Sequence, residues 1–270
     1  MRTHQFSLVF KIIRILLTFV TYSIIYIPIL IIAFLSVNAS QRDSVFTRFS
    51  LVWYREIIHN DRLLEAIQNT LTIAFLATTI ATIIGTLAAI GIHSLSRKKR
   101  VQMMLLNNVP VVNPDIVTGI SLLLVFSLLP LSFGMQTMLL AHIFFCIPFV
   151  VLSVLPKLKT LDPNLFDAAI DLGASKMKAL WFVIIPSIKV GIVAGALIAF
   201  TMSIDDFVIS YFVYGDGYQN VSIWIYSRLG RRTFSPSVYA YNTLVVFVTM
   251  VGLIIFNVVS QRKKIEGEKI

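Results

Sequence analysis

Three carboxylates set in long apolar stretches are the residues of this sequence whose type and place point most directly to chemistry. Asp115, Asp205 and Asp206 each lie within a run of mostly hydrophobic residues. An ionised side chain at membrane depth is costly, so it normally faces a cavity, a partner or a substrate. No Lys or Arg lies at matching depth in the sequence. A cation passing through the protein would therefore supply the missing counter-charge.

Helical spacing ranks these carboxylates. On one continuous helix Asp206 shares a face with Ser203, three residues earlier, and with Ser210, four residues later, whereas Asp205 points about 100° away. We expect Asp206 to face the path. Asp205 would pair with a partner subunit or cap a helix break. Asp115 follows a proline, which disturbs the helix ladder and frees carbonyl groups that would add negative potential to the same cavity. The alternative for each is a buried structural carboxylate.

Membrane helices are the elements that must position these groups. Of the 270 residues, 57% are hydrophobic and 13% are charged, whereas about a quarter of a soluble domain is charged. Six apolar stretches are long enough to cross about 30 Å of hydrocarbon. They cover approximately residues 15–35, 71–92, 103–129, 135–155, 188–213 and 238–259. The pattern predicts a single all-α integral membrane domain over residues 1–270, with six transmembrane helices.

The basic residues predict the orientation of this domain. With the N-terminus inside, 16 of the 23 Lys and Arg residues fall on the inner side and 7 on the outer side. This bias places both termini in the cytoplasm. The net charge of +10 is then explained by topology, and we expect membrane lipid rather than nucleic acid around the chain. The four His residues and Cys146 lack the spacing of metal ligands, so no metal site is predicted.

A cytoplasmic loop over residues 156–187 is predicted to fold as a helix, a turn and a second amphipathic stretch. An Asp-Pro turn at residues 162–163 can cap the first helix. A glycine follows that helix where a left-handed cap is expected. The loop's distinctive residues are Asp167, Ala168, Ala169, Gly173 and Pro186. A surface helical unit of this kind predicts contact with a cytoplasmic partner.

These spacings resemble the Glu-Ala-Ala loop of binding-protein-dependent ABC importer permeases. The family pattern ends in Ile-x-Leu-Pro, and the departures here are Asp167 for Glu, Val183 for Ile and Ile185 for Leu. The resemblance implies the type I ABC importer permease fold. It also implies that the short helix around Gly173 docks in a groove of an ATPase subunit. The chain lacks a Gly-x-x-x-x-Gly-Lys-Ser/Thr phosphate loop. We therefore expect no enzymatic activity and no cofactor in this chain, with ATP and Mg bound by a separate ATPase dimer.

Three further segments resemble the C-type permease subunits of spermidine/putrescine importers. They are Pro-Asp-Ile-Val-Thr-Gly-Ile-Ser-Leu-Leu from residue 114, Phe-Cys-Ile-Pro-Phe-Val-Val from residue 145, and Ser-Ile-Asp-Asp-Phe-Val-Ile-Ser-Tyr-Phe-Val-Tyr-Gly from residue 203. The resemblance implies a polycationic substrate, a second permease chain, an external polyamine-binding protein and the bacterial inner membrane. Tyr211 and other aromatic residues near the predicted outer mouth could stack on a polyamine, although aromatic belts are common at membrane interfaces.

Two other classes of protein, an ion-coupled secondary carrier and an intramembrane aspartyl protease, fit the sequence less well. An ion-coupled secondary carrier would need no coupling loop, so the spacing from Asp167 to Pro186 argues against it. An intramembrane aspartyl protease needs two carboxylates that converge on one water, whereas Asp205 and Asp206 are adjacent and point apart on a helix. An importer of another small cation stays open. Gly191 and Gly195 in the fifth span would allow close approach of another helix, for which the permease interface is one candidate.

Overall fold

A computed structural model describes residues 2–40, 46–215, 217–229 and 236–267. Over these residues the chain is helical, with two isolated β-bridges, which confirms the predicted all-α class. The helices are α1 (Arg2–Ser36), α2 (Val52–His59), α3 (Asp61–Ser94), α4 (Arg97–Val112), α5 (Asp115–Ser127), α6 (Met135–Lys159), α7 (Leu165–Asp171), α8 (Lys176–Ala179), α9 (Ile185–Ser187), α10 (Lys189–Asp205), α11 (Val208–Val213), α12 (Val221–Leu229) and α13 (Ser237–Gly267). A π-helical turn, Leu180–Ile184, joins α8 to α9.

Three helical segments of the described chain are each long and apolar enough to cross a membrane: Phe10–Ser36, Asp61–Ser94 and Met135–Lys159. Two bent pairs pass the same test when each pair is taken together, which gives up to five spans. The sixth predicted span falls in α13, where Ser237–Val251 is a shorter apolar helix. The count of six stays a prediction. Arg42, Arg231, Arg232 and Lys269, which enter the charge count, lie outside the described residues.

The third predicted span is sharply bent. Helices α4 and α5 meet at 101°, around Asn113 and Pro114. A residue before proline is forced out of the helical region, and Asn113 accordingly has an extended ψ of 134°. The Pro114 carbonyl accepts hydrogen bonds from the amides of Val117, at 2.9 Å, and Thr118, at 3.1 Å. The hydrogen-bond ladder of α5 thus resumes directly after the break.

The chain divides into two compact units. The first comprises residues up to Leu64 and from Arg228 onward. In it, α13 packs against α1 and α2. The link between α1 and α2 is fixed by polar contacts, since Trp53 Nε1 donates to Asn38 O at 2.6 Å and Ser36 Oγ lies 2.8 Å from Tyr54 Oη.

The second unit, Glu65–Ser227, contains the site. Its centre is α6, whose buried residues include Val150 and Val154, and α10 packs along α6. Two glycines permit the close approach. A Cβ added at Gly195 would lie 3.1 Å from Val150 Cα, and one at Gly191 would lie 3.1 Å from Ser153 O. The predicted glycine pair therefore serves a helix contact within this chain.

The short helix α11 is held at its C-terminal end by α6. Thr137 Oγ1 donates to the Val213 carbonyl at 2.7 Å in a buried contact. Helix α11 also packs on α5, where Gly119 leaves room for the Phe212 ring. A helix of six residues cannot be stable alone, so its place in the fold depends on these contacts and on those at its other end.

Candidate functional site

The fifth predicted span is broken at its paired aspartates. Helix α10 ends at Asp205, and α11 begins at Val208. Asp206 has extended backbone angles, with φ −66° and ψ 125°. Its carboxylate accepts hydrogen bonds from the amides of Ile209, at 3.2 Å, and Ser210, at 2.7 Å. The expectation of one continuous helix through this stretch is wrong, because Asp206 caps a new helix instead of extending the old one.

A buried histidine joins the two sides of this break. His142 on α6 is 1% exposed. Its Nδ1 lies 2.7 Å from Ser203 Oγ on α10, and its Nε2 lies 2.9 Å from Ser210 Oγ on α11. Nε2 also lies 3.6 Å from Asp206 Oδ2. The Asn220 amide nitrogen donates to Ser210 Oγ at 3.0 Å and to the Asp206 carbonyl at 3.2 Å. We call these five residues the break network.

The break network brings together three predicted path residues, Ser203, Asp206 and Ser210. The spacing predicted that they share one face of a continuous helix, whereas they meet around His142 at a helix break. Ser203 lies on α10, Ser210 on α11 and Asp206 in the break between them, and all three lie near the His142 ring. Sequence reasoning missed His142 because it tested histidines only for metal-ligand spacing. The usable indication was a lone polar residue inside an apolar span, since such a residue must find a polar partner on a neighbouring helix.

The three predicted carboxylates have different surroundings. The Asp206 side chain is only 9% exposed, and both of its oxygens serve the break network. Asp205, the last residue of α10, and Asp115, the first residue of α5, are exposed. Among the described residues neither forms an ion pair. Each of these two free carboxylates thus lies at the break of a bent or interrupted span.

Tyr211 belongs to a cluster of aromatic rings beside the break. Its ring centroid lies 5.6 Å from that of Phe207 and 5.3 Å from that of Tyr226, while Phe207 and Tyr226 are 4.8 Å apart. Tyr211 is 39% exposed and Tyr226 46% exposed. Phe207 and Tyr211 lie two and six residues after Asp205 in the chain, and Tyr226 lies on the next helix, α12. The cluster therefore presents partly open aromatic faces close to Asp205 in the chain. Such faces attract ammonium groups.

The loop predicted to be cytoplasmic contains the expected helix, turn and second helical stretch, but Asp162 accepts a hydrogen bond from the Asn164 amide at 2.9 Å and does not cap the helix. Helix α7 carries Asp167 and Ala168, both exposed, and Ala169, which is buried. The helix ends in a Schellman motif: Ala174 N donates to Ala169 O at 3.0 Å, and Gly173 N donates to Ile170 O at 2.8 Å. Gly173 has φ +85°, so the predicted left-handed cap is confirmed.

The surface beyond this cap is unusually apolar. Leu172 is 90% exposed, and an added Cβ at Gly173 would meet no heavy atom within 4 Å. Met177, Trp181 and Phe182 in the second stretch are also exposed. Pro186, exposed as well, lies in α9 at the end of this stretch. We call the end of α7 with Leu172 and Gly173 the loop tip. An apolar surface of this kind marks a contact site for protein or membrane.

Curated relatives match almost the whole chain. The spermidine/putrescine transport system permease protein PotC of Escherichia coli K12 is 36% identical over 242 residues, which cover 90% of this chain and 91% of that protein. The PotC protein of Haemophilus influenzae is 35% identical and covers 90% of this chain and 95% of its own length. The putrescine transport system permease protein PotI of E. coli K12 is 34% identical over 259 residues, covering 93% and 92% of the two chains.

Solved structures share the fold. A chain of a bacterial ABC transporter involved in the import of the acidic polysaccharide alginate aligns with a TM-score of 0.70 at 15% identity, covering 94% of this chain and 96% of that one. An amino acid ABC transporter chain aligns with a TM-score of 0.54 at 19% identity, covering 76% and 96%. The fold is therefore that of ABC importer permeases. A family model matches residues 81–265, and this chain belongs to the family of binding-protein-dependent transport system inner membrane components.

Proposed function

We propose that this chain is one permease subunit of an ABC importer that moves polyamines, of the spermidine and putrescine type, across the inner membrane into the cell. The observation that carries the proposal is the similarity at 34–36% identity, over nine-tenths of the chain, to permeases named for spermidine and putrescine. An importer for another small cation is the second candidate, because free carboxylates alone do not select among cations.

The two exposed carboxylates support a cationic cargo. Asp115 and Asp205 lie at breaks within spans, where irregular backbone is tolerated against protein or a water-filled cavity but not against lipid. A diamine or triamine carries ammonium groups that are separated by methylene chains, so spaced carboxylates suit it better than a single charged site. The open faces of Tyr211 and Tyr226 would add cation–π attraction for the ammonium groups.

The predicted path residues then have two different tasks in this proposal. Asp115, Asp205 and Tyr211 would contact the cargo directly. Ser203, Asp206 and Ser210 would hold the helix break that presents Asp205, because their polar atoms are already engaged with one another and with His142.

The proposed complex contains three further components. A second permease subunit would complete the path, and an external polyamine-binding protein would deliver the cargo. A cytoplasmic ATPase dimer, with its own ATP and Mg, would bind the loop tip. Both termini of this chain would lie in the cytoplasm. The whole of residues 1–270 would act as one transmembrane domain.

Uptake in cells tests the substrate class. Deleting the gene should abolish uptake of labelled spermidine or putrescine, and wild-type chain should restore it. The Asp205→Asn variant should restore less, whereas Asp61→Asn, the same chemical change at an exposed residue at the start of α3, should restore it fully. Unchanged polyamine uptake in the deletion strain, together with a lost response to another cation, would select the second candidate.

A further inference from the structure

We propose that His142 is a positioning residue of the transport path, which fixes the helix break and thereby aims Asp205. The inference rests on the proposed function for its consequence in transport, but its structural content stands separately. His142 is almost fully buried and so cannot contact a cargo directly. Its contacts reach the residues on either side of the break instead.

The direction of the hydrogen bonds can be assigned from the charges. The Asp206 carboxylate lies 3.6 Å from Nε2 of His142, so it favours the tautomer whose hydrogen is on Nε2. This N–H then donates to Ser210 Oγ, which also accepts from the Asn220 amide. The bare Nδ1 must accept from the Ser203 hydroxyl, 2.7 Å away. Both ring nitrogens are thus used, one for each helix.

This arrangement ties two helices to a third. Ser203 lies on α10 and Ser210 on α11, while His142 lies on α6, the centre of its unit. Helix α10 is already packed on α6 through Gly191 and Gly195, whereas α11 has only six residues. A single rigid side chain that bonds one serine on each side therefore sets the angle between α10 and α11.

Asp205 is the residue that this angle controls. It is the last helical residue of α10 and is followed directly by the capping residue Asp206. Its exposed side chain makes none of the bonds of the break network, so nothing but the local backbone directs its carboxylate. Loss of His142 would leave Ser203 free to turn to its own helix carbonyls. The helices would persist, but the break would no longer have one defined angle.

Thiol labelling at position 205 tests the proposal without requiring transport. Cys146 is the only cysteine and is buried, so a Cys146→Ala chain carrying Asp205→Cys has one accessible thiol. Membranes with the full complex would be treated with a cationic methanethiosulfonate reagent. Adding His142→Phe, which keeps a ring but removes both hydrogen bonds, should slow labelling by about threefold or more. Leu140→Ala, a change at an exposed residue two positions before His142 on the same helix, should leave the rate unchanged.

The transport consequence is measured in parallel with native Asp205. The His142→Phe chain should lose about tenfold in maximal spermidine uptake per copy of complex. If that variant does not accumulate in the membrane, Ser203→Ala, which removes one of the two bonds with little change in volume, replaces it in the labelling test. A labelling rate at position 205 that is the same with and without these changes would overturn the proposal. If His142→Phe alters labelling but the wild-type complex does not transport polyamines, the positioning role stands and the proposed function is refuted.

Discussion

Two helix ends in this protein are stabilised in different ways, one by side-chain hydrogen bonds and the other by backbone hydrogen bonds. At the break network, α10 ends at Asp205, the amides of Ile209 and Ser210 in α11 donate to the Asp206 carboxylate, and the Asp206 carbonyl accepts from the Asn220 side chain. At the loop tip, α7 stops at the surface, and its last carbonyls are bound only by backbone amides through Gly173. The first end is fixed by residues from three helices. The second is fixed by a single glycine.

The difference indicates what each end is for. A break closed by buried side chains has a defined geometry within this chain, as is needed to present a carboxylate at membrane depth. The loop tip instead leaves Leu172 and its apolar neighbours exposed, which suits the docking to an ATPase proposed above. A cavity of about 510 Å³ lies between the loop and the ends of α3 and α6, lined among others by Ile90, Leu158 and Phe166. We therefore expect substitutions at the two helix ends to impair different properties of the protein.

The largest effect is expected at Gly173. Valine there would be strained at φ +85° and would place a branched side chain on the surface proposed to enter the ATPase. We expect Gly173→Val to abolish co-purification of the ATPase and with it nearly all uptake. Gly217→Val is the matched control, because Gly217 has φ +86° and equally open surroundings. Co-purification should survive that control; its loss in both variants would attribute the effect to backbone strain alone.

The next largest effect is expected at Asp205. Asparagine removes the charge but retains the size, so Asp205→Asn should lower uptake by about tenfold, equivalent to the loss of one charged contact. Thermal stability and ATPase binding should stay at wild-type values, since Asp205 makes no contact in the break network. Uptake at the wild-type rate would remove Asp205 from the path.

Asp206→Asn, unlike Asp205→Asn, should lower the stability of the protein. The amide can still accept from one of the two amides that the carboxylate caps, but its nitrogen cannot accept from the other. We expect a loss of about 1–2 kcal/mol in the free energy of unfolding, typical of a damaged cap, measured by thermal or denaturant unfolding of the purified complex. If Asp206→Asn left stability unchanged and lowered uptake as much as Asp205→Asn does, both aspartates would belong to the path as direct contacts.

A change at Leu172 should act on ATPase binding and not on the fold. Its side chain is almost fully exposed, so Leu172→Ser should leave the stability of the isolated chain within about 0.5 kcal/mol. Burial of a leucine against a partner contributes about 1.5–3 kcal/mol, and its loss should weaken ATPase binding by roughly ten- to a hundredfold in a titration. An unchanged affinity would show that the ATPase does not cover the loop tip.

The sequence predicted the local features well and the long-range features poorly. The cap at Gly173 follows from residues within one helical turn, and its spacing was sufficient to predict it. The bend at Asn113 and Pro114 follows from proline sterics in the same way. Asp206 is of a type that caps helices, but long apolar runs on both sides favoured an unbroken span.

His142 was beyond local reasoning, because its partners Ser203 and Ser210 lie 61 and 68 residues away in the chain. A pairing of this kind depends on which faces of α6, α10 and α11 meet. The contact of α10 with α6 was hidden for the same reason. Gly191 and Gly195 predicted a close helix neighbour without identifying it.

The measurement that tests the central claim most directly is transport by the purified complex in proteoliposomes, with labelled spermidine and the binding protein outside and ATP within reach of the ATPase. The account predicts uptake that requires ATP, falls about tenfold with Asp205→Asn, and vanishes with Gly173→Val while Gly217→Val retains it. Spermidine uptake that proceeds equally without ATP, or ATP-dependent transport that ignores polyamines and the charge at position 205, would contradict it.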